Sequence, residues 1–180
     1  MADSAPSPPD HHNPPHRMGR RYTALEFADL VSHAAHAVPD VYIGADVMVG
    51  FPGEGTAEFE ATHRLLVDSP IAYAHVFRYS ERAGTPAANL SGKVDPRTRH
   101  RRSVVVRRIS TEKFRRFYKA QLGKRLAVLF EEKKDGYWFG YTGNYIRVAA
   151  RSNKRIRNTE VPVRLERFED DIMFGALQDI

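Results

Sequence analysis

The 180-residue chain carries 28 Lys and Arg against 22 Asp and Glu, a formal charge of +6, with 42% apolar and 11% aromatic residues. That composition excludes a wholly disordered chain, and folding at this length buries roughly 70% of the unfolded surface, enough for a core without staples. It has no cysteine, which excludes disulfides, thiolate zinc sites and cysteine-held iron–sulfur clusters within these residues.

Residues 1–16 hold five of the eleven prolines and no periodic apolar pattern, so a disordered tail is expected. His11, His12 and His16 there could bind a metal only adventitiously. There is neither a long apolar run nor a basic-then-apolar leader, so no membrane contact and a cytoplasmic location are expected. From Thr23 the pattern turns helical. Thr23 with Glu26 three residues on makes a capping box, and Leu25, Phe27, Leu30, Val31, Ala34 and Val38 recur at helical spacing until Pro39. Val41 to Val49 is apolar and β-branched, which predicts a strand buried on both faces. Gly50-Phe51-Pro52-Gly53 breaks it. Thr56 to Asp68 predicts a second helix with Phe59, Thr62, Leu65 and Leu66 inward, and Ile71 to Phe77 a second strand. This alternation is that of a parallel α/β fold.

After an irregular stretch, a long helix is predicted from about Arg97 to Gln121, with Val104, Val105, Ile109, Phe114, Phe117 and Tyr118 as apolar positions and Gly123 ending it. The charge is concentrated here. Residues 1–92 carry a net −5, residues 93–125 a net +11, and residues 126–180 sum to zero. Such density points to a polyanion partner, the bland alternative being a solvated helix face. The last 55 residues change character to five short β-prone runs separated by turns. They suit an all-β part, a small five-stranded antiparallel barrel of OB-like form, with a boundary near Leu122.

MGRRYTALEFADLV, DVMVGFPGEGTAEFEATHRLL and AHVFRYSERAGTPAA, followed by VLFEE and GYTGNYIRV, resemble the radical S-adenosylmethionine tRNA methylthiotransferases, most closely the branch acting on N6-threonylcarbamoyladenosine. The resemblance covers residues 17–180. It implies that residues 17–122 are the last portion of a partial (β/α) barrel with a basic terminal helix, and that residues 123–180 are a TRAM-like RNA-binding barrel. The complete family uses S-adenosylmethionine and two [4Fe–4S] clusters to transfer a methylthio group to a tRNA adenosine. The cysteines that hold those clusters are missing here, as is the PLQSGS stretch ahead of MxRxYT. A fragment that is inactive alone and holds no cofactor is therefore expected. The alternatives are a free-standing RNA-binding module and one half of a split enzyme completed by a cysteine-bearing N-terminal partner.

The resemblance sets Gly50, Phe51, Pro52, Gly53 and Glu54 beside the S-adenosylmethionine pocket. Read from the residues alone, they are a strand-to-helix turn with Glu54 favouring a helix N-terminus. His75, Val76, Phe77, Tyr79 and Ser80 are implied as further cofactor contacts, although a lone strand histidine such as His75 is more often a hydrogen-bonded structural group than a base or ligand, and no catalytic side chain is assigned. Arg82, Gly84 and Thr85 are implied to lie on the substrate side. Asp46, within an apolar strand, either lines a polar pocket or pairs with a buried base. For RNA the expected set is Arg97, Arg99, Arg101, Arg102, Arg107 and Arg108 for phosphates. Tyr141, Asn144, Tyr145 and Arg147 are expected for unpaired bases, with two or three of the barrel's aromatics inside. The partner expected is the anticodon arm of tRNA.

Overall fold

The computed structural model describes residues 18–178; the expected tail and its three histidines lie outside them. Helix α1 (Ala24–Ala37) opens on the reciprocal cap read from the sequence. The Thr23 hydroxyl accepts from the Glu26 N–H at 3.1 Å, and the Glu26 carboxylate accepts from the Thr23 N–H at 2.7 Å. The periodicity identifies this helix but not its packing: Leu25 is 71% and Leu30 65% exposed, and Val31 alone is buried. Strand β1 (Gly44–Val49), helix α2 (Thr56–Asp68), strand β2 (Tyr73–Arg78), a 3-10 turn at Pro86–Asn89 and helix α3 (Pro96–Lys119) follow.

β1 and β2 pair in parallel, with Asp46 opposite His75 and Met48 opposite Phe77. Val49, Ala74 and Val76 turn to the helix side, where Val31, Leu66, Ile71 and Val106 complete a core. The alternate residues Asp46, Met48, Tyr73, His75 and Phe77 are exposed. The expectation of a strand buried on both faces is thus corrected, because the helices cover only one face of this two-stranded sheet. α3 seals the edge of β2 that β1 leaves free. The buried Ser110 hydroxyl donates to the Ala74 carbonyl and accepts from the Ala74 N–H, both at 2.9 Å, and Arg107 donates to the Val76 carbonyl at 3.0 Å. Side chains here take the place of a third strand.

Strands β3 (Arg125–Lys134), β4 (Tyr137–Thr142), β5 (Arg147–Ala150), β6 (Thr159–Glu169) and β7 (Ile172–Leu177) close a barrel in the order β3-β4-β5-β7-β6. The expected antiparallel barrel needs correction at one seam, since β5 and β7 run parallel. A closed ring with an odd number of strands cannot alternate direction throughout, so one parallel pair is unavoidable. Val128, Phe130, Val148, Val163, Leu165 and Met173 fill the interior. Of the clustered aromatics in β4 and its turn only Trp138 is buried, fewer than expected. Gly140 is required where β4 crosses β3, because a Cβ there would lie 2.1 Å from the Leu129 carbonyl oxygen.

The end of α3 is built into the barrel core. Tyr118 is buried against Phe114 and Phe168, with ring centroids 4.3 and 5.2 Å away, and its hydroxyl accepts from the Arg147 N–H at 3.1 Å. Tyr118→Ala should cost about 3–5 kcal/mol, the usual range for a deleted buried aromatic. Tyr118→Phe, which loses only the hydrogen bond, should cost about 1 kcal/mol. Urea denaturation followed by Trp138 fluorescence measures both. Equal and small losses would mean that the helix is not anchored through this ring.

Candidate functional site

At the carboxyl ends of β1 and β2 the chain makes a compact knot. Gly50 and Gly53 take positive φ, +78° and +86°. A Cβ on Gly50 would lie 2.1 Å from the Arg99 side chain, so only glycine lets α3 approach this closely. The Gly50 N–H donates to the Glu54 carboxylate at 2.8 Å, the Glu54 N–H to the Phe51 carbonyl at 2.9 Å, and the Gly53 N–H to the Gly92 carbonyl at 2.7 Å. Phe51 and Pro52 are buried, and the Phe51 ring meets Tyr79 edge-on at 5.3 Å.

Arg102 clamps the knot. It is 8% exposed and donates to the Glu54 carboxylate at 2.8 Å, the Glu54 carbonyl at 2.7 Å and the Gly55 carbonyl at 3.0 Å. Burial pushes the Glu54 carboxyl above its ordinary value, against the downward pull of the Gly50 N–H and Arg102. Arg99 donates to the Tyr79 carbonyl at 2.6 Å. The polar groups of Gly50, Gly53 and Glu54 that these bonds engage serve the turn itself.

From the expected cofactor set, His75, Phe77 and Ser80 face outward, and Val76 turns into the core. The Tyr79 hydroxyl is buried without a partner. His75 lies beside the Tyr73 and Phe77 rings, at 6.4 and 4.6 Å. Asp46 is exposed and pairs with no buried base among the described residues; it lines a pocket with Met48, Phe51 and Glu54. Thr85 donates to the Arg82 carbonyl at 2.8 Å, holding the next loop. The donor set does not fit an iron–sulfur cluster: there is no thiolate, and no group of three metal-ligating side chains exists among the described residues.

The basic cluster divides by helical phase. Arg99 and Arg102 fall on the face of α3 that carries Val106 and Ser110, while Arg97, Arg101 and Arg108 fall on the opposite, exposed face with Val104. Arg107, at the boundary, is exposed yet engaged with β2. The structure therefore corrects the reading of these residues as one phosphate-facing cluster: Arg102 is buried in an ion pair, and Arg99 and Arg107 hold backbone carbonyls. Spacing alone would have separated them, because Arg99, Arg102, Val106 and Ser110 recur at helical intervals.

On the barrel, Tyr141 is 41% and Tyr145 76% exposed, the latter at φ +60° on the β4–β5 turn. Asn144, half-exposed beside Tyr145, is a structural bridge within the protein. Its amide nitrogen donates to the Asp40 carbonyl at 2.9 Å, and its oxygen accepts from the Thr142 hydroxyl at 2.6 Å. The Asp40 carboxylate accepts from Lys124 at 2.6 Å, which lowers its pKa. Arg147 lies over Phe139 at 5.3 Å. Two further pairs escape a reading of the sequence: Arg151 over Tyr137 at 4.7 Å and Arg167 over Phe174 at 4.4 Å. The alternation in GYWFGYT, which sends Tyr137, Phe139 and Tyr141 to one face, is the available signal.

Arg102→Ala would leave the Glu54 carboxylate buried and unpaired, a loss of about 3–5 kcal/mol. Chemical denaturation of the variant should show it, together with faster amide exchange at Gly50 and Gly53. A midpoint equal to that of the parent chain would contradict the clamp.

No protein-family model matches the chain. Among curated proteins, the Bacillus subtilis threonylcarbamoyladenosine tRNA methylthiotransferase MtaB is 30% identical over 154 residues, covering 83% of this chain and 34% of that protein. The Aquifex aeolicus protein of the same name is 34% identical over 140 residues, 77% of this chain and 33% of its own. The Maricaulis maris tRNA-2-methylthio-N(6)-dimethylallyladenosine synthase is 36% identical over 115 residues, 64% of this chain and 25% of its own. The chain spans a quarter to a third of the length of these relatives. A multidomain protein with nucleic acid binding domains from Streptococcus pneumoniae aligns at a TM-score of 0.29 and 12% identity over 33% of this chain and 23% of its own, too slight a likeness to bear on fold or function.

Proposed function

This chain belongs to the radical S-adenosylmethionine tRNA methylthiotransferase family, and from that premise we propose that it is the tRNA-docking part of an enzyme acting on N6-threonylcarbamoyladenosine. Residues 17–122 are the end of a (β/α) barrel and residues 123–180 a TRAM-like RNA-binding barrel. The observation that carries the proposal is the exposed face of α3. Arg97, Arg101 and Arg108 lie along one stripe of a 24-residue helix, about 36 Å long at 1.5 Å per residue, whose far end is fixed in the barrel core by Tyr118. Guanidiniums so arrayed suit a phosphate backbone. The S-adenosylmethionine and [4Fe–4S] clusters of the family would supply the radical and the sulfur. Their thiolate ligands must come from outside these 180 residues, so the chain alone binds RNA without transferring a methylthio group.

The open face of the β1–β2 sheet favours completion by further polypeptide over a free-standing RNA-binding module. Met48, Tyr73 and Phe77 leave an apolar surface beside Asp46 and His75, the kind of patch that marks an interaction site. A cysteine-bearing N-terminal half is the occupant this reading requires.

The test is fluorescence anisotropy with a labelled anticodon stem-loop across a salt series. Each phosphate that is no longer neutralised should flatten the log–log salt slope by roughly 0.7–0.9. Arg97→Ala/Arg101→Ala/Arg108→Ala should therefore lower the slope by about 2–3 and weaken binding most at low salt. An unchanged affinity and slope would mean that the stripe is only a solvated helix face.

A further inference from the structure

We propose that the cleft on the outer barrel wall flanked by Tyr137, Arg151, Arg167 and Phe174 receives one unpaired nucleobase of the bound RNA, with preference for a base that bears an exocyclic amino group. The inference rests on the RNA-docking reading above and assigns it a base-reading site. The cleft encloses about 420 Å³ and is bounded by Tyr137, Arg151, Glu166, Arg167, Phe174 and Gly175, within the roughly 300–1,000 Å³ of small-molecule pockets.

Its chemistry is that of base recognition. The Tyr137 and Phe174 rings stand nearly perpendicular, 79° apart with centroids 5.5 Å distant. Each ring lies beneath one guanidinium, Tyr137 under Arg151 at 4.7 Å and Phe174 under Arg167 at 4.4 Å. Unpaired bases stack on aromatic rings and guanidinium planes alike. Backbone geometry builds the corner. A bulge between Leu165 and Arg167 shifts the β6 register so that Arg167 stands opposite Phe174, and Gly175 lets β6 and β7 close up, since a Cβ there would lie 2.5 Å from the Arg164 carbonyl oxygen.

Charge argues for a base rather than a bare phosphate. Arg167 is ion-paired to Glu169, and Glu166 lines the cleft, so two carboxylates offset the two guanidiniums. A carboxylate accepts from the amino edge of cytosine or adenine and offers nothing to the uracil carbonyl at the equivalent position.

The experiment measures binding of the full chain to the anticodon stem-loop and to a blunt duplex of the same stem. Phe174→Ala and Arg151→Ala should each weaken stem-loop binding by on the order of tenfold, leave duplex binding unchanged, and alter the salt slope by no more than a single phosphate would. Glu166→Gln, an isosteric change on the surface, should reduce the preference for cytidine or adenosine tetranucleotides over uridine tetranucleotides. If Phe174→Ala fails to fold, Arg151→Ala and Glu166→Gln decide. Stem-loop affinity and base preference unchanged in both, while the triple arginine variant of α3 still loses binding, would overturn the cleft and leave the docking reading intact. Loss in neither set would overturn both. Equal displacement of the stem-loop by a base-free polyanion such as polyphosphate, at matched charge, would also overturn base recognition.

Discussion

Everything in this structure hangs on how α3 meets the free edge of β2. A two-stranded parallel sheet has unpaired N–H and C=O groups on both edges, and isolated pairs are not stable in water. Here Ser110 satisfies both backbone groups of Ala74, and Arg107 and Arg99 take the carbonyls of Val76 and Tyr79. Arg102 reaches across to Glu54 and Gly55. A helix that supplies these bonds is fixed in both rotation and register. Its opposite face, with Arg97, Arg101 and Arg108, is thereby fixed toward solvent. The same constraint that completes the small sheet presents the cationic stripe.

The barrel inherits its orientation from that helix. Tyr118 enters the barrel core, and the Tyr42 ring meets Phe117 at 5.1 Å. The Asp40 turn adds bonds to Lys124 and Asn144, and Arg115 lies 3.5 Å from Asp171. The α3 stripe and the arginine–aromatic pairs of the barrel are therefore parts of one scaffold. Preorganisation of this kind lowers the ordering cost of binding an extended partner.

The order of elements, the cap at Thr23 and the five β-runs are legible in the sequence because each has a local signature: a capping box, a change of period, a turn signal. Burial is less legible. Leu25, Leu30 and Met48 read as core because periodicity reports which residues share a face and not whether another element covers it. The arginines are misgrouped for a related reason. Charge density along the chain ignores helical phase, and phase is what turns Arg102 to Glu54 and Arg101 to solvent. Asn144 reads as a base contact beside Tyr145, since nothing in its neighbourhood signals a bond to Asp40, 104 residues away. The Tyr137–Phe174 cleft joins residues from four strands and a bulge, so no single segment of sequence contains it. That the ring must hold a parallel seam, by contrast, follows from five strands once closure is assumed; its place at β5–β7 does not.

The central claim is that the two faces of α3 do different work. Modification by an arginine-specific dicarbonyl reagent, mapped by peptide mass spectrometry with and without the anticodon stem-loop, tests it most directly. In the free chain Arg97, Arg101 and Arg108 should react readily and Arg102 hardly at all, and RNA should protect those three. Modification of Arg102 as fast as that of Arg101, or reactivity of Arg97, Arg101 and Arg108 that saturating RNA leaves unchanged, would contradict the account.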